Sequence, residues 1–169
     1  MDLHKAVRDP WVWGQVVLLG AIAAGLPLLQ ALLPVDSSLA DFLSPAPARS
    51  RWLALVPVLG GVSMARWGSR SLGPNLTPGT EPLPNGVLVE GGAYRVVRHP
   101  LYLGIILLLW GVAWGITNPS IGAMSGLVAL AYFDRKAAAE ERWLSRRFPG
   151  YEAYRNRVPK LLPRWRGSP

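Results

Sequence analysis

The chain has 169 residues, enough for one domain; half are hydrophobic and the formal charge is +8. It has no cysteine, which excludes a disulfide framework, a thiolate nucleophile and a cysteine-based metal site. A basic balance of this size can mark nucleic-acid binding, but the charges flank long apolar runs, which points to a bilayer and away from nucleic acid.

Residues 12–33 are apolar apart from Gln15 and Gln30, with Trp11 and Trp13 placed as interfacial anchors. Residues 35–50, with Pro45 and Pro47, read as a short outer connection. Residues 52–65 offer 14 uncharged positions, roughly 21 Å of helix, so Arg51 and Arg66 are expected to snorkel outward. Residues 71–92 form a long loop with Pro74, Pro78, Pro82 and Pro84; a structureless loop of that length is usually functional or disordered. The apolar Leu88 and Val89 in its second half are expected to pack onto the body of the protein.

From Gly92 to Gly104 the chain reads Gly-Ala-Tyr-Arg-Val-Val-Arg-His-Pro-Leu-Tyr-Leu-Gly. Two arginines, a histidine and two tyrosines thus stand at the mouth of an apolar run. His99 precedes a proline and is pushed toward extended backbone, while Pro100 suits the first position of a helix. The free N–H groups of the next turn, with the positive end of the helix dipole, make a site for an anionic group. Gly104, one turn further in, leaves room for a ligand against the backbone.

Residues 100–133 are 34 consecutive positions without a charged side chain. As one helix they would measure about 51 Å, against a hydrocarbon core of about 30 Å. They are therefore expected to fold back at Thr117-Asn118-Pro119 into a hairpin of residues 100–116 and 119–133. Pairs of small residues, Gly111 with Gly115 and Gly122 with Gly126, would let helices approach closely. The second arm continues as an alanine-rich helix past Asp134, with Lys136 and Glu140 on one face, until Pro149-Gly150 stops it. A last short segment, 151–158, carries Tyr151, Tyr154, Arg155 and Arg157.

The expected architecture is an all-α integral membrane protein with about four transmembrane helices, a C-terminal helical hairpin and a cytosolic helical tail. It forms one domain: two N-terminal spans within 1–70, a cytosolic cofactor loop at 71–99, the hairpin at 100–133 and the tail at 134–169. Sixteen of the 18 basic residues fall on the side of the termini, leaving Arg49 and Arg51 opposite. The motif is thus expected on the cytosolic side of a bacterial inner membrane. His4 and His99 lie too far apart for ligand spacing, and no metal is expected.

Taken together these residues resemble the isoprenylcysteine carboxyl methyltransferase family and its phospholipid methyltransferase relatives. The likeness rests on Gly-x-Tyr-x-x-x-Arg-His-Pro-x-Tyr-x-Gly from Gly92 to Gly104, then Asn118-Pro119, Glu140-Glu141, Phe148-Pro149-Gly150, Tyr151, Tyr154, Val158-Pro159 and Pro163. It covers nearly half the chain. Where many members have proline stands Ala93, and Pro149 interrupts the Phe-Gly pair. The resemblance implies S-adenosylmethionine as cofactor, wrapped by Gly86, Val87, Leu88 and Val89. Tyr94, His99, Pro100, Leu101, Tyr102 and Glu140 match further cofactor positions. Arg98, with the adjacent helix terminus, suits the cofactor's carboxylate, and Gly104 completes the motif. Glu141, one position round the helix from Glu140, joins the set but is expected to matter less. Lys136, with Arg135 beside it, matches a substrate contact. No residue is implied as a general base. The implied partner is the lipid bilayer with a lipophilic or lipidated acceptor: a carboxylate, amine or thiol. An NADPH-dependent sterol-type reductase shares part of the motif, but its usual asparagine is here Leu101. A non-catalytic lipid-binding protein is a third reading, opposed by retention of both Arg-His-Pro and the acidic pair.

Overall fold

The computed structural model describes residues 9–32, 48–77 and 84–163. Most of the connection expected at 35–50 lies outside the described residues, as do Lys5, Arg8, Arg164 and Arg166. The described chain is helical: α1 (Pro10–Leu32), α2 (Ala48–Leu53), α3 (Leu55–Leu72), α4 (Pro100–Ile116), α5 (Pro119–Arg147) and α6 (Tyr151–Arg157), with 3₁₀ turns at Gly73–Asn75 and Gly92–Arg95. It contains no strand among the described residues.

The span expected at 52–65 differs in its bounds. A helix begins at Ala48, breaks at Ala54 and restarts as α3, which runs on to Leu72. Pro57 explains the break: it has no N–H to donate back to Leu53, and its ring crowds that carbonyl, so it fits only in the first turn of a new helix. The hairpin turn is set locally. The Asn118 side chain accepts from the Ile121 N–H at 3.0 Å, capping α5 ahead of Pro119. Thr117 donates its hydroxyl to the Ala113 carbonyl of α4.

Helices α3 and α4 cross at backbone contact. A β-carbon at Gly104 would lie 2.8 Å from both the Ala65 nitrogen and the Gly61 oxygen, and one at Gly61 would lie 2.7 Å from the Gly104 oxygen. The space at Gly104 is therefore filled by α3, which corrects the expectation that a ligand lies there. Gly111 faces Val58 and Ala54, whereas Gly122 and Gly126 receive Trp114 and Trp110 of α4. The two small-residue pairs thus serve different helix contacts. Because backbone atoms cannot yield as a flexible side chain can, Gly61→Ala is expected to destabilise the fold by about 1–3 kcal/mol. Gly60→Ala, whose β-carbon would meet only Leu107 at 3.9 Å, is expected to change little. Thermal unfolding of the two variants checks this; equal midpoints would contradict the crossing.

The core lies between α4 and α5. Ile106 and Leu109 pack against Ala129, Phe133 and the tail residue Leu161. Ala129, Phe133 and Ala137 recur every four residues on one face of α5, and all are fully buried. Phe133 contributes about 2 kcal/mol by leaving water. On the other side α1 meets α5 through an edge-on contact of Trp11 with Tyr132 at 5.6 Å.

Among the described residues no helix is long and apolar enough to cross a membrane. Helix α4 has 17 residues, roughly 26 Å against a hydrocarbon core of about 30 Å. Charge enters α3 at Arg66 and Arg70, and α5 at Asp134.

Candidate functional site

The segment before α4 is anchored by short-range fit. Gly92 has φ +59°, and a β-carbon there would collide with the Ser71 hydroxyl, so glycine is required on two counts. The same hydroxyl accepts the Ala93 N–H at 3.2 Å. Beyond it, the Arg98 and His99 N–H groups donate to the carbonyls of Pro159 (2.8 Å) and Lys160 (3.1 Å). The tail is thereby tied to the start of α4.

Five side chains form a continuous polar chain at this junction. Arg98 donates from Nε to Glu141 Oε1 at 2.9 Å and pairs with it through a second nitrogen at 2.8 Å. Its remaining terminal nitrogen donates to the carbonyls of Arg155 and Val158. His99 Nε2 lies 3.0 Å from the same Glu141 oxygen, and Nδ1 lies 3.5 Å from Glu140. The His99 ring stacks on Tyr102, planes within 2°, and the Tyr102 hydroxyl donates to Glu140 at 2.8 Å.

The adjacent acids are thus divided. Glu141 is buried, at 5% exposure, and holds Arg98 and His99; it does not line the cleft described below. This corrects the placement of Glu141 among the cofactor residues: it holds the polar chain beside the cleft and does not face into it. Burial by itself would raise its carboxyl, but the hydrogen bond and charge of His99, then those of Arg98, outweigh it and hold the group down at about 2. A carboxyl held below its ordinary value of 4.5 stabilises the fold above that value. The contribution is lost as pH falls from about 4.5 toward about 2. Unfolding midpoints followed from pH 6 to 2 are expected to fall through that window, and Glu141→Gln is expected to flatten the slope. An identical acid slope in the variant would contradict the assignment.

Beside this chain lies a cleft with about 820 Å³ of empty space, including the part open to solvent. Ten residues expected at the cofactor site line it: Gly86, Val87, Leu88, Val89, Tyr94, Arg98, His99, Leu101, Tyr102 and Glu140. Three do not: Pro100, Gly104 and Glu141. The 86–89 segment is held by Asn75, whose side-chain oxygen accepts the Val87 N–H at 2.9 Å, and by Arg147, which donates to the Pro84 carbonyl. Leu88 and Val89 pack on a cluster of Tyr94, Tyr151 and Tyr154. Burial pushes all three phenols above their ordinary value, so they stay neutral donors. Tyr154 donates to the Tyr94 carbonyl at 2.8 Å. The Tyr151 hydroxyl is buried with no hydrogen-bond partner among the described residues.

Sequence reasoning left out Leu72, Asn75, Thr77, Leu144, Phe148, Tyr151 and Tyr154 from this lining. The spacing Glu140, Leu144, Phe148 is the signal that finds part of it, because residues four apart share a helix face. Lys136 and Arg135 lie elsewhere. Lys136 is 1% exposed, donates to Gln15 of α1 at 2.7 Å and sits 5.3 Å from the Tyr102 ring centre, and it does not line the cleft. Burial lowers its pKa, while Glu140 and Asp9 act in the opposite direction. Arg135 lines a second cleft.

The sequence profile of a family described as phospholipid methyltransferase matches residues 50–150. The chain is 30% identical over 80 residues to the cobalt-zinc-cadmium resistance protein CzcN of Cupriavidus metallidurans, covering 47% of this chain and 37% of that one. It is 33% identical over 78 residues to the protein-S-isoprenylcysteine O-methyltransferase of Schizosaccharomyces pombe, covering 46% and 33%. Against methanethiol S-methyltransferase 2 of Bradyrhizobium diazoefficiens it is 41% identical over 75 residues, covering 42% and 27%. The matched stretch thus spans about a third of the length of these curated relatives.

Proposed function

The chain belongs to the phospholipid methyltransferase family, and from that membership we propose that it transfers a methyl group from S-adenosylmethionine to a lipophilic acceptor at a membrane. The observation that carries the reading is the convergence in one cleft of a helix N-terminus, a carboxylate and aromatic rings.

The residues present fit the cofactor. The N–H groups of Leu101 and Tyr102, in the first turn of α4, have no partner within the helix and suit a carboxylate. Glu140 suits an ammonium or ribose hydroxyls. The rings of Tyr94 and Tyr102 suit a sulfonium, at about 1 kcal/mol by cation–π attraction. The unpartnered Tyr151 hydroxyl supplies one further donor, and Leu88, Val89, Leu144 and Phe148 provide apolar walls for a base. When bound, S-adenosylmethionine supplies an electrophilic methyl, and its transfer requires in-line alignment more than proton removal. The protein's part is accordingly to hold and orient. His99 and Tyr102, stacked and both tied to carboxylates, line the cleft together with Tyr151 and Tyr154 of α6.

The membrane setting is supported by the outward faces of the helices. Val16 and Val17 of α1, Trp52 of α2, Val56 and Leu59 of α3, and Leu127 and Val128 of α5 are all exposed; such patches mark lipid or partner contact. A helix shorter than the hydrocarbon core is accommodated by local thinning of the bilayer. Relatives acting on isoprenylcysteine and on methanethiol bracket the acceptor as a lipidated carboxylate or a small thiol; an amine fits the family description. Equilibrium binding of S-adenosylhomocysteine and of NADPH to the detergent-solubilised chain tests the reading. It predicts binding of the first and none of the second; the reverse would assign a reductase.

A further inference from the structure

A second cleft opens along an earlier stretch of α5, between that helix and the tail from Val158 to Leu162. Along α5 its lining passes from apolar at Leu127 and Leu130 to charged at Asp134 and Arg135 within about 12 Å. Leu162 of the tail continues the apolar part, and Arg155 and Lys160 continue the charged part.

The basic groups are weakly committed among the described residues. Arg135 donates only a long 3.4 Å bond to the Ala131 carbonyl. Arg155 meets Glu152 at 3.5 Å with both side chains at least half exposed, a geometry of little energetic consequence. Lys160 pairs with Asp134 at 2.7 Å, the one carboxylate lining the cleft. The rim therefore carries an excess of positive charge beside leucines of which Leu127 and Leu162 are more than 60% exposed.

We propose that this cleft holds one anionic phospholipid as a bracing ligand, its phosphate on Arg135 and Arg155 and an acyl chain along Leu127, Leu130 and Leu162. Charge of one sign above a greasy floor matches such a molecule at both ends, whereas a free phosphate leaves the leucines uncovered. The two clefts adjoin at the Arg98 side chain, which lines both and is fixed there by its bonds to Glu141 and Val158. The lipid's effect reaches the first cleft through the tail, since the carbonyls of Pro159 and Lys160 receive the Arg98 and His99 N–H groups. A lipid seated against that tail keeps those bonds closed.

The test uses the full chain in neutral detergent, titrated separately with phosphatidylglycerol, phosphatidylcholine and inorganic phosphate, and followed by binding and by amide hydrogen exchange. Phosphatidylglycerol is expected to bind at least about tenfold tighter than phosphatidylcholine, because both present the phosphate but phosphatidylcholine also brings a quaternary ammonium against Arg135, Arg155 and Lys160, and to slow exchange at Arg98 and His99. Arg135→Gln combined with Arg155→Gln is expected to abolish the preference, and Arg95→Gln, an exposed arginine outside the cleft, to keep it. Equal binding of the two lipids, a preference surviving the double variant, or its loss in Arg95→Gln would overturn the proposal. So would inorganic phosphate binding as tightly as phosphatidylglycerol with the same protection. None of these readouts involves methyl transfer, so failure here is separable from failure of the proposed activity.

Discussion

Glu141→Leu is expected to destabilise the protein by about 3–5 kcal/mol, the usual consequence of removing one partner from a buried ion pair. Arg98 is 9% exposed, and in the variant it keeps only the carbonyls of Arg155 and Val158 for a full positive charge. His99 loses the partner of its Nε2 in the same step and keeps the longer contact to Glu140. The loss should appear first in the tail, because the Arg98 side chain is one of the ties that hold α6 and Val158 to the start of α4. Denaturant unfolding measures the total, and amide exchange in α6 locates it. The neighbouring Glu140→Gln is the comparison: Glu140 is partly exposed, with a side chain at 25%, and its loss should cost the fold far less. Equal destabilisation by the two changes would contradict the division of roles.

The second large effect is on ligand affinity. Glu140→Gln is expected to weaken S-adenosylhomocysteine binding by about 10- to 150-fold, corresponding to the roughly 1.5–3 kcal/mol of a charge-assisted hydrogen bond. The carboxylate lines the cleft and is oriented by the Tyr102 hydroxyl at 2.8 Å, so the glutamine keeps the shape and loses the charge. Arg95→Ala serves as control, since Arg95 is exposed and does not line the cleft. Isothermal titration of both variants decides it: unchanged affinity in Glu140→Gln moves the site elsewhere, and equal losses in both point to general electrostatics.

How far the sequence carries is seen best at the hairpin. The α4 bounds and the start of α5 are legible because their signals are local: a proline at the first position of each helix and an asparagine whose side chain caps the turn. The break at Ala54 is equally local in origin, but Pro57 lies inside an apolar run, which hides it from a hydropathy reading. The pairing of Glu141 with Arg98 and His99 was not legible. Glu140 and Glu141 sit on the same helix one position apart, a turn of about 100°, and only the docking of α5 on the start of α4 decides which one meets Arg98. Gly104 shows the same limit. Its missing side chain announces a close approach, but whether by a ligand or by α3 depends on where Gly61 and Ala65 come to lie. The tail's grip on Arg98 and His99 runs through carbonyl oxygens, which every residue possesses and no motif records.

Incubating the purified chain with S-adenosylmethionine labelled in its methyl group and a membrane lipid extract tests the proposed activity most directly. The account predicts label in the organic phase with the unaltered chain and its near-complete loss in His99→Ala, because that change removes the ring on which Tyr102 stacks and one partner of each carboxylate. Full transfer by His99→Ala, or no transfer by a chain that binds NADPH in place of S-adenosylhomocysteine, would contradict it.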